Sequence, residues 1–211
     1  MIKRFGLAIH SSSAQLGLGL LDSDGSIKMQ VWDLDRSLSS HLHQCLKDFL
    51  QGIDWQELAY ITVARGPGSF TSIRIGMVTA RILAQELSIP LFAISSLASL
   101  AQTQRVYLDQ DQFIATQLTA TSDKYYVAIY EKLSQSKIVS PIFEDTILEM
   151  QQWEKTLAQL IKPYHLIEEE RQLGYAVDGL LQLANALYCQ GQMPQWSEGL
   201  PVYLSSVKID N

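Results

Sequence analysis

His10-Ser11-Ser12-Ser13 sets an imidazole beside three hydroxyls, the raw material of a nucleophile and its base. Adjacent residues on a strand point to opposite faces, so nearness along the chain supplies no triad geometry. No H-E-x-x-H occurs, and Ser69 stands in no G-x-S-x-G elbow because Pro67 lies two residues before it. Hydrolase chemistry is therefore not expected. Metal chemistry is no better supplied. The four histidines are His10, His41, His43 and His165. His41 and His43 lie about 200° apart around a helix axis and cannot hold one ion together. His41 and Cys45 have a usable i, i+4 spacing, yet Cys45 falls on an apolar stripe and reads as a buried structural thiol. Asp22 and Asp24 belong to Asp22-Ser23-Asp24-Gly25 and read as turn formers. No catalytic residue and no metal site are expected.

The strongest local signal is Ala64-Arg65-Gly66-Pro67-Gly68-Ser69-Phe70-Thr71-Ser72-Ile73-Arg74-Ile75-Gly76, which leads from a strand into a helix. Gly66 and Gly68 permit backbone angles closed to other residues, and Ser69 or Thr71 can cap the helix. Free N–H groups at a helix start suit an anion. The loop is either a phosphate or carboxylate cradle or a tight turn that binds nothing. It is not a Walker loop, since no Gly-Lys-Ser/Thr follows.

The elements that position these residues follow from periodicity. Phe5–His10, Ala14–Leu21 and Ile27–Trp32 read as strands of a meander, the last two joined by the Asp22–Gly25 turn. Ser39–Leu50 switches to helical period, with Leu42, Cys45, Leu46, Phe49 and Leu50 on one stripe and Ser39 or Ser40 as N-cap. Ala59–Ala64, Thr71–Leu87 and Leu91–Ile94 then form a right-handed βαβ unit with parallel strands. After Ser95–Gln104 the order begins again. Gln112–Thr119, Lys124–Glu131 and Lys137–Phe143 read as strands, Leu148–Ile161 as a helix, Tyr164–Ile167 as a strand and Val177–Gln190 as a helix. The expectation is an α/β chain of two similar halves, residues 1–103 and 104–211. Trp196–Val207 reads as extended and is compatible with either half.

The long helix is apolar on two sides. Ile73, Met77, Ala80, Ala84 and Leu87 form one stripe, and Ile75, Val78 and Ile82 form another. A helix of that kind is buried on both sides. Gly76, Ala80 and Ala84 are small and spaced four apart, so another helix backbone can approach closely, either this chain's own neighbour or a partner's.

Composition bounds the function classes. The chain has 211 residues, 47% of them hydrophobic and 18% charged, which excludes disorder and fibrous repeats. A formal net charge of −6 opposes stand-alone nucleic-acid binding. No apolar run approaches the ~20 residues of a membrane span, and the first residues lack a signal-peptide pattern. Cys45 and Cys189 lie far apart and form no metal or redox spacing. A soluble, cytoplasmic protein is expected.

The run Ala64–Gly76 closely resembles the hallmark of the TsaB (YeaZ) family, partners in making N6-threonylcarbamoyladenosine in tRNA. Leu7–Ser13, the helix opening near His41, Ile89–Leu97 and Pro201–Leu204 carry the likeness across essentially the whole chain. The resemblance implies an actin/hsp70-like fold of two RNase H-like halves with mixed sheets. It implies a non-catalytic subunit that needs no cofactor and no membrane. The implied partners are a TsaD-like catalytic subunit, a TsaE-like ATPase, a second copy of the chain, and tRNA only within the complex. It places the interface on the first two helices, at His41, Leu42, Cys45 and Phe49 and at Ile73, Gly76, Met77, Ala80 and Ala84. Gly66, Gly68, Ser69 and Thr71 are then a structural turn or an anion site. The chain also departs from the pattern. His10 stands where the family usually has Asp, Ser72 where Gly is usual, and Thr119-Ala120-Thr121 where Asp-Ala-Arg is common. Leu200 and Ser205 replace a Glu and an Arg. Carboxylates that would hold Mg²⁺ near a nucleotide are thereby missing. The alternatives are a weak nucleotide-binding or ATPase module using Gly66–Thr71 and, less favoured, a glycoprotease-like hydrolase.

Overall fold

The structure is a computed structural model, and it describes residues 4–107, 111–132, 136–169 and 172–204. Among the described residues, nine strands form two mixed sheets. In the first, β1 (Phe5–His10), β2 (Gln15–Leu21), β3 (Ile27–Asp33), β4 (Leu58–Ala64) and β5 (Leu91–Ile94) lie in the order β3-β2-β1-β4-β5. The β1–β2 and β2–β3 pairs are antiparallel, while β4 runs parallel to both β1 and β5. In the second, β6 (Phe113–Thr119), β7 (Lys124–Glu131), β8 (Ser140–Glu149) and β9 (Tyr164–Glu169) take the order β8-β7-β6-β9. That is the first order without its fifth strand, the duplication expected of an actin/hsp70-like α/β fold.

Among the described residues, five α-helices cover the sheets: α1 (Leu38–Phe49), α2 (Phe70–Leu87), α3 (Ser96–Gln104), α4 (Met150–Ala158) and α5 (Val177–Cys189). Because both faces of the first sheet are covered, β1 and β4 read as near-continuous apolar runs rather than alternating ones. Leu7, Ile9, Ile61 and Val63 pack under α1 and α2. Ala8, Tyr60 and Ala64 face a second core with Leu97 and Leu100 of α3 and Val177 and Leu180 of α5, together with Ile114 and Leu118 of the second sheet. Residues of both sheets therefore meet in this second core. A third cluster beneath α4 is built on Trp153, whose indole N–H donates to Gln117 Oε1 at 2.8 Å.

Several elements differ from expectation. The first long helix begins at Leu38, so Ser39 and Ser40 lie in its first turn and cap nothing; the Ser40 hydroxyl donates back to the Ser37 carbonyl. The stretch Ser95–Gln104, given no element from the sequence, holds α3, with Ser95 as its N-cap and its hydroxyl oxygen accepting from the Leu97 and Ala98 N–H groups. The expected strand Lys137–Phe143 is β8, shifted to Ser140–Glu149, because Ile147 and Leu148 complete the ladder with β7. The following helix starts at Met150, behind a capping box of Glu149 and Gln152, and not at Leu148. Of the stretch Trp196–Val207, residues 205–207 lie outside the described residues. Trp196–Glu198 is a single 3₁₀ turn. The described part returns to the first sheet, where Leu91 N–H donates to the Pro194 carbonyl and Val202 N–H to the Arg65 carbonyl. Among the described residues, no helix is long and apolar enough to cross a membrane.

Candidate functional site

The loop between β4 and α2 is stapled on three sides. Arg65 N–H donates to the Ile94 carbonyl, Ser96 N–H to the Gly66 carbonyl, and Ser69 N–H to the Ser12 carbonyl at 2.7 Å. Gly66 and Gly68 have φ of +104° and +149°, the region that glycine tolerates. At Gly68 a Cβ would also fall 2.2 Å from the Ser12 carbonyl oxygen, so conformation and close approach both require glycine. The expected cap is not made. Ser69 occupies the N-cap position of α2 without a side-chain bond to the backbone, its Oγ lying 2.9 Å from Ser72 Oγ instead. Thr71 sits one residue inside the helix, on its exposed side, and does not cap either.

This loop forms one wall of a cleft of about 430 Å³ between the halves. Ser12, Ser13, Gly68, Ser69 and Ser72 line it from the first half, Thr119, Ala120 and Tyr126 from the second, with Asp35 and Arg36 also bordering it. His10 is not among the lining residues. It is fully buried, with Nε2 3.2 Å from Ser99 Oγ and Nδ1 without a partner. Burial pushes its pKa down to about 3, so the imidazole is neutral. His41 is exposed, its Nδ1 3.0 Å from both the Ser37 carbonyl and the Ser40 hydroxyl. The Cys45 thiol is buried, and burial raises its pKa. Among the described residues no cluster of His, Cys, Asp and Glu is suited to a metal ion.

The residues expected at the interface lie mostly in the interior of this chain. Leu42, Cys45, Phe49, Ile73, Met77, Ala80 and Ala84 are all buried within this chain, as is Gly76. The stripe of small residues seats α2 on its own sheet: a Cβ on Gly76 would lie 2.1 Å from Ser11 Oγ and 3.7 Å from Ile9. Of the residues expected at the interface, His41 alone is exposed. The outward face of α2 carries Val78 and Ile82 of the other stripe, while Ile75 of that stripe is half-buried against the core. Phe70, Val78 and Ile82 are each more than half exposed, at 54%, 53% and 54%. Phe70 stacks on Tyr203 at 4.6 Å, and the Arg74 and Arg81 guanidinium groups lie over the Phe70 and Trp196 rings. Phe70, Arg74, Val78, Arg81, Pro201 and Tyr203 line a groove of about 380 Å³. The signal was present in the Ile75–Val78–Ile82 spacing, but nothing local says which of two apolar stripes faces inward. Sequence reasoning also missed Asp145 of β8. Burial raises the pKa of its carboxyl, which accepts from the Tyr130 hydroxyl at 3.0 Å.

The chain is similar to known proteins in sequence and in fold. A family model described as TsaD, tRNA N6-adenosine threonylcarbamoyltransferase, matches residues 34–172. The tRNA threonylcarbamoyladenosine biosynthesis protein TsaB of Bacillus subtilis is 31% identical over 159 residues, spanning 74% of this chain and 67% of that protein. The protein of the same name from Buchnera aphidicola (strain APS) is 29% identical over 64% of this chain and 61% of its own length. YeaZ from Pseudomonas aeruginosa superimposes with a TM-score of 0.78 at 21% identity, covering 95% of this chain and all of that one, a likeness of fold. With the glycine loop, the doubled sheet order and an alignment of this extent all in agreement, the chain belongs to the TsaB (YeaZ) family.

Proposed function

We propose that this chain serves the synthesis of N6-threonylcarbamoyladenosine in tRNA as a non-catalytic subunit. In this reading it docks a TsaD-like catalytic partner through the outward face of α2 and the adjoining α1. The names of its relatives support the pathway. The observation that carries the docking role is the outward face itself. Phe70, Val78 and Ile82 put three large apolar side chains on one helix in water, and contiguous apolar surface of that kind is characteristic of interaction sites. Arg74 and Arg81 stand beside them, stacked on aromatic rings, as charged groups able to orient a partner. A second copy of the chain would use the same face and compete with the catalytic partner. The non-catalytic part of the reading is supported by His10, a neutral imidazole tied to Ser99 where the family pattern has an acid. A TsaE-like ATPase and tRNA would join only the assembled complex, since a chain of net charge −6 repels phosphate backbones on its own.

The test is a double variant, Val78→Arg with Ile82→Arg, probed by pull-down with the TsaD-like subunit and by sedimentation. Both side chains are exposed, so the variant folds, and two cations buried against an apolar partner cost about 3 kcal/mol or more, a hundredfold or greater in affinity. A folded double variant that captures the partner as well as the parent protein does would overturn the reading.

A further inference from the structure

We propose that the open edge of β9 is a docking site for a basic, extended segment of a partner protein, which adds to the second sheet as a fifth strand. The site lies on the second half and uses none of the residues of the outward face of α2. The two halves differ in what completes their sheets. In the first, β5 lies beyond β4 and α2 makes the crossover between them. Leu91 N–H, at the start of β5, then donates to the Pro194 carbonyl of the returning chain. The cores identify the counterparts in the second half. α1 and α2 pack in the cluster on one side of the first sheet, and α4 packs in the cluster on one side of the second. α3 and α5 meet in the core between the sheets, where a Cβ on Gly179 would sit 1.9 Å from the Ser99 carbonyl oxygen. By position, α4 corresponds to α1 and α5 to α3. Among the described residues, nothing corresponds to α2 or to β5, and β9 is left as an edge strand.

Phe113 N–H of β6 donates to the Pro163 carbonyl at 2.9 Å, and β6 runs parallel to β9 with Phe113 beside Tyr164. His165 and Ile167 therefore turn their backbone groups toward β6, and Tyr164, Leu166 and Glu168 turn N–H and C=O away from the sheet. Such a row of backbone groups is a template for another strand. The same three residues put their side chains on the α4 side. Leu166 packs there beside Trp153, Tyr164 is 41% exposed, and Ile161 just before the strand is 91% exposed. Charge selects the occupant. Residues 104–211 hold 8 Lys and Arg against 14 Asp and Glu, whereas residues 1–103 hold 8 of each, so the net charge of −6 lies entirely in the second half. Glu168 is exposed near the end of β9, and its carboxylate accepts from the Gln117 side-chain amide at 3.1 Å. A carboxylate placed there repels a second copy of this acidic half and attracts Lys or Arg. A strand parallel to β9, as β5 is to β4, sets alternate residues beside Tyr164, Leu166 and Glu168. The segment that fits is apolar at the first two of these positions and basic at the third.

The probe is a capped peptide of sequence Gly-Val-Thr-Val-Thr-Lys-Gly, titrated into the full ¹⁵N-labelled chain. The amides of Tyr164, Leu166 and Glu168 should shift together and saturate with one constant of about 1 mM or tighter. Their exchange with solvent should slow, while the amides of His165 and Ile167, already bonded to β6, change less. The same peptide with Glu in place of Lys should bind about tenfold more weakly. Glu168→Lys alters an exposed side chain, so the variant folds, and it should reverse the order of the two peptides. Shifts that never saturate, saturable shifts confined to other surfaces, or equal binding of the two peptides would overturn the proposal. So would a dimer of the parent chain in sedimentation that Glu168→Lys alters, since the edge would then belong to a second copy. Val78→Arg with Ile82→Arg should bind the peptide as the parent does, so a failure here and a failure of the docking reading are told apart.

Discussion

Gly68 is held by two constraints at once, a φ of +149° and a Ser12 carbonyl oxygen 2.2 Å from where a Cβ would sit. Gly68→Val should therefore cost about 3 kcal/mol of strain and collision, read as a lower midpoint in chemical denaturation. An unchanged midpoint would mean the loop can leave Ser12 without loss. His10 makes a pH prediction. Its folded pKa of about 3 lies below the ordinary value of 6.5, so the unfolded chain takes up a proton that the native one refuses. That contribution to stability is complete above pH 6.5 and declines as pH falls toward 3, by about 1.4 kcal/mol per unit. Asp145 and Asp178, both raised by burial, act in the opposite sense at the acidic end of the window. Between pH 7 and pH 5 the parent protein should lose about 2 kcal/mol more than His10→Asn, measured by urea denaturation at each pH. Parallel pH profiles would show that His10 is not the proton acceptor. The glycines of this loop were legible as residues because a positive φ is a local demand. The neutrality of His10 was not, since it depends on α3 closing over it with Ser99.

At the scale of elements, α2 is the one whose reading changed. Its two apolar stripes are both plain from spacing, but the stripe of small residues belongs to the chain's own core and the Val78–Ile82 stripe to the surface. Ala80→Arg and Val78→Arg, two residues apart, should then behave oppositely. Ala80 is 0% exposed, so an arginine there buries a charge in the packed core and should unfold the chain, at a cost of about 4 kcal/mol or more. Val78→Arg should keep the parent circular dichroism and melting temperature to within about 0.5 kcal/mol. A folded Ala80→Arg chain, or an unfolded Val78→Arg chain, would reverse the assignment of the two faces. Small residues at four-residue spacing admit any backbone to close range, whether helix or sheet; here the occupant is β1, with Ser11 and Ile9 against Gly76. The serine-rich stretch Ser95–Gln104 was passed over for a related reason. Its polar residues look like a connection, yet Ser99 faces His10 and Gln102 satisfies the Val139 N–H and the Lys137 carbonyl inside the molecule.

The whole molecule folds around a core to which both halves contribute. Leu97 and Leu100 from the first span pack with Ile114, Leu118, Val177 and Leu180 from the second. Gly179 of α5 lies so near α3 that a Cβ would sit 1.9 Å from the Ser99 carbonyl. Residues 1–103 expressed alone should fail to form a cooperative fold, and the full chain should melt in a single calorimetric transition. Two resolved transitions, or a truncated chain with a sharp melt of its own, would contradict a shared core. Hydrophobic period, a property of neighbours along the chain, was enough to establish the order of the strands and of every α-helix but α3, while the residue type itself marked where glycine was needed to turn. Which stripe of α2 faced inward, which helix covered the second face of the first sheet, and which residues lined the cleft were decided only by tertiary structure. Periodicity reports how many faces of an element are apolar. It carries no information about which distant segment covers each face, because that choice is made by burial between residues far apart in sequence, such as Ser12 with Gly68 and Ser99 with Gly179.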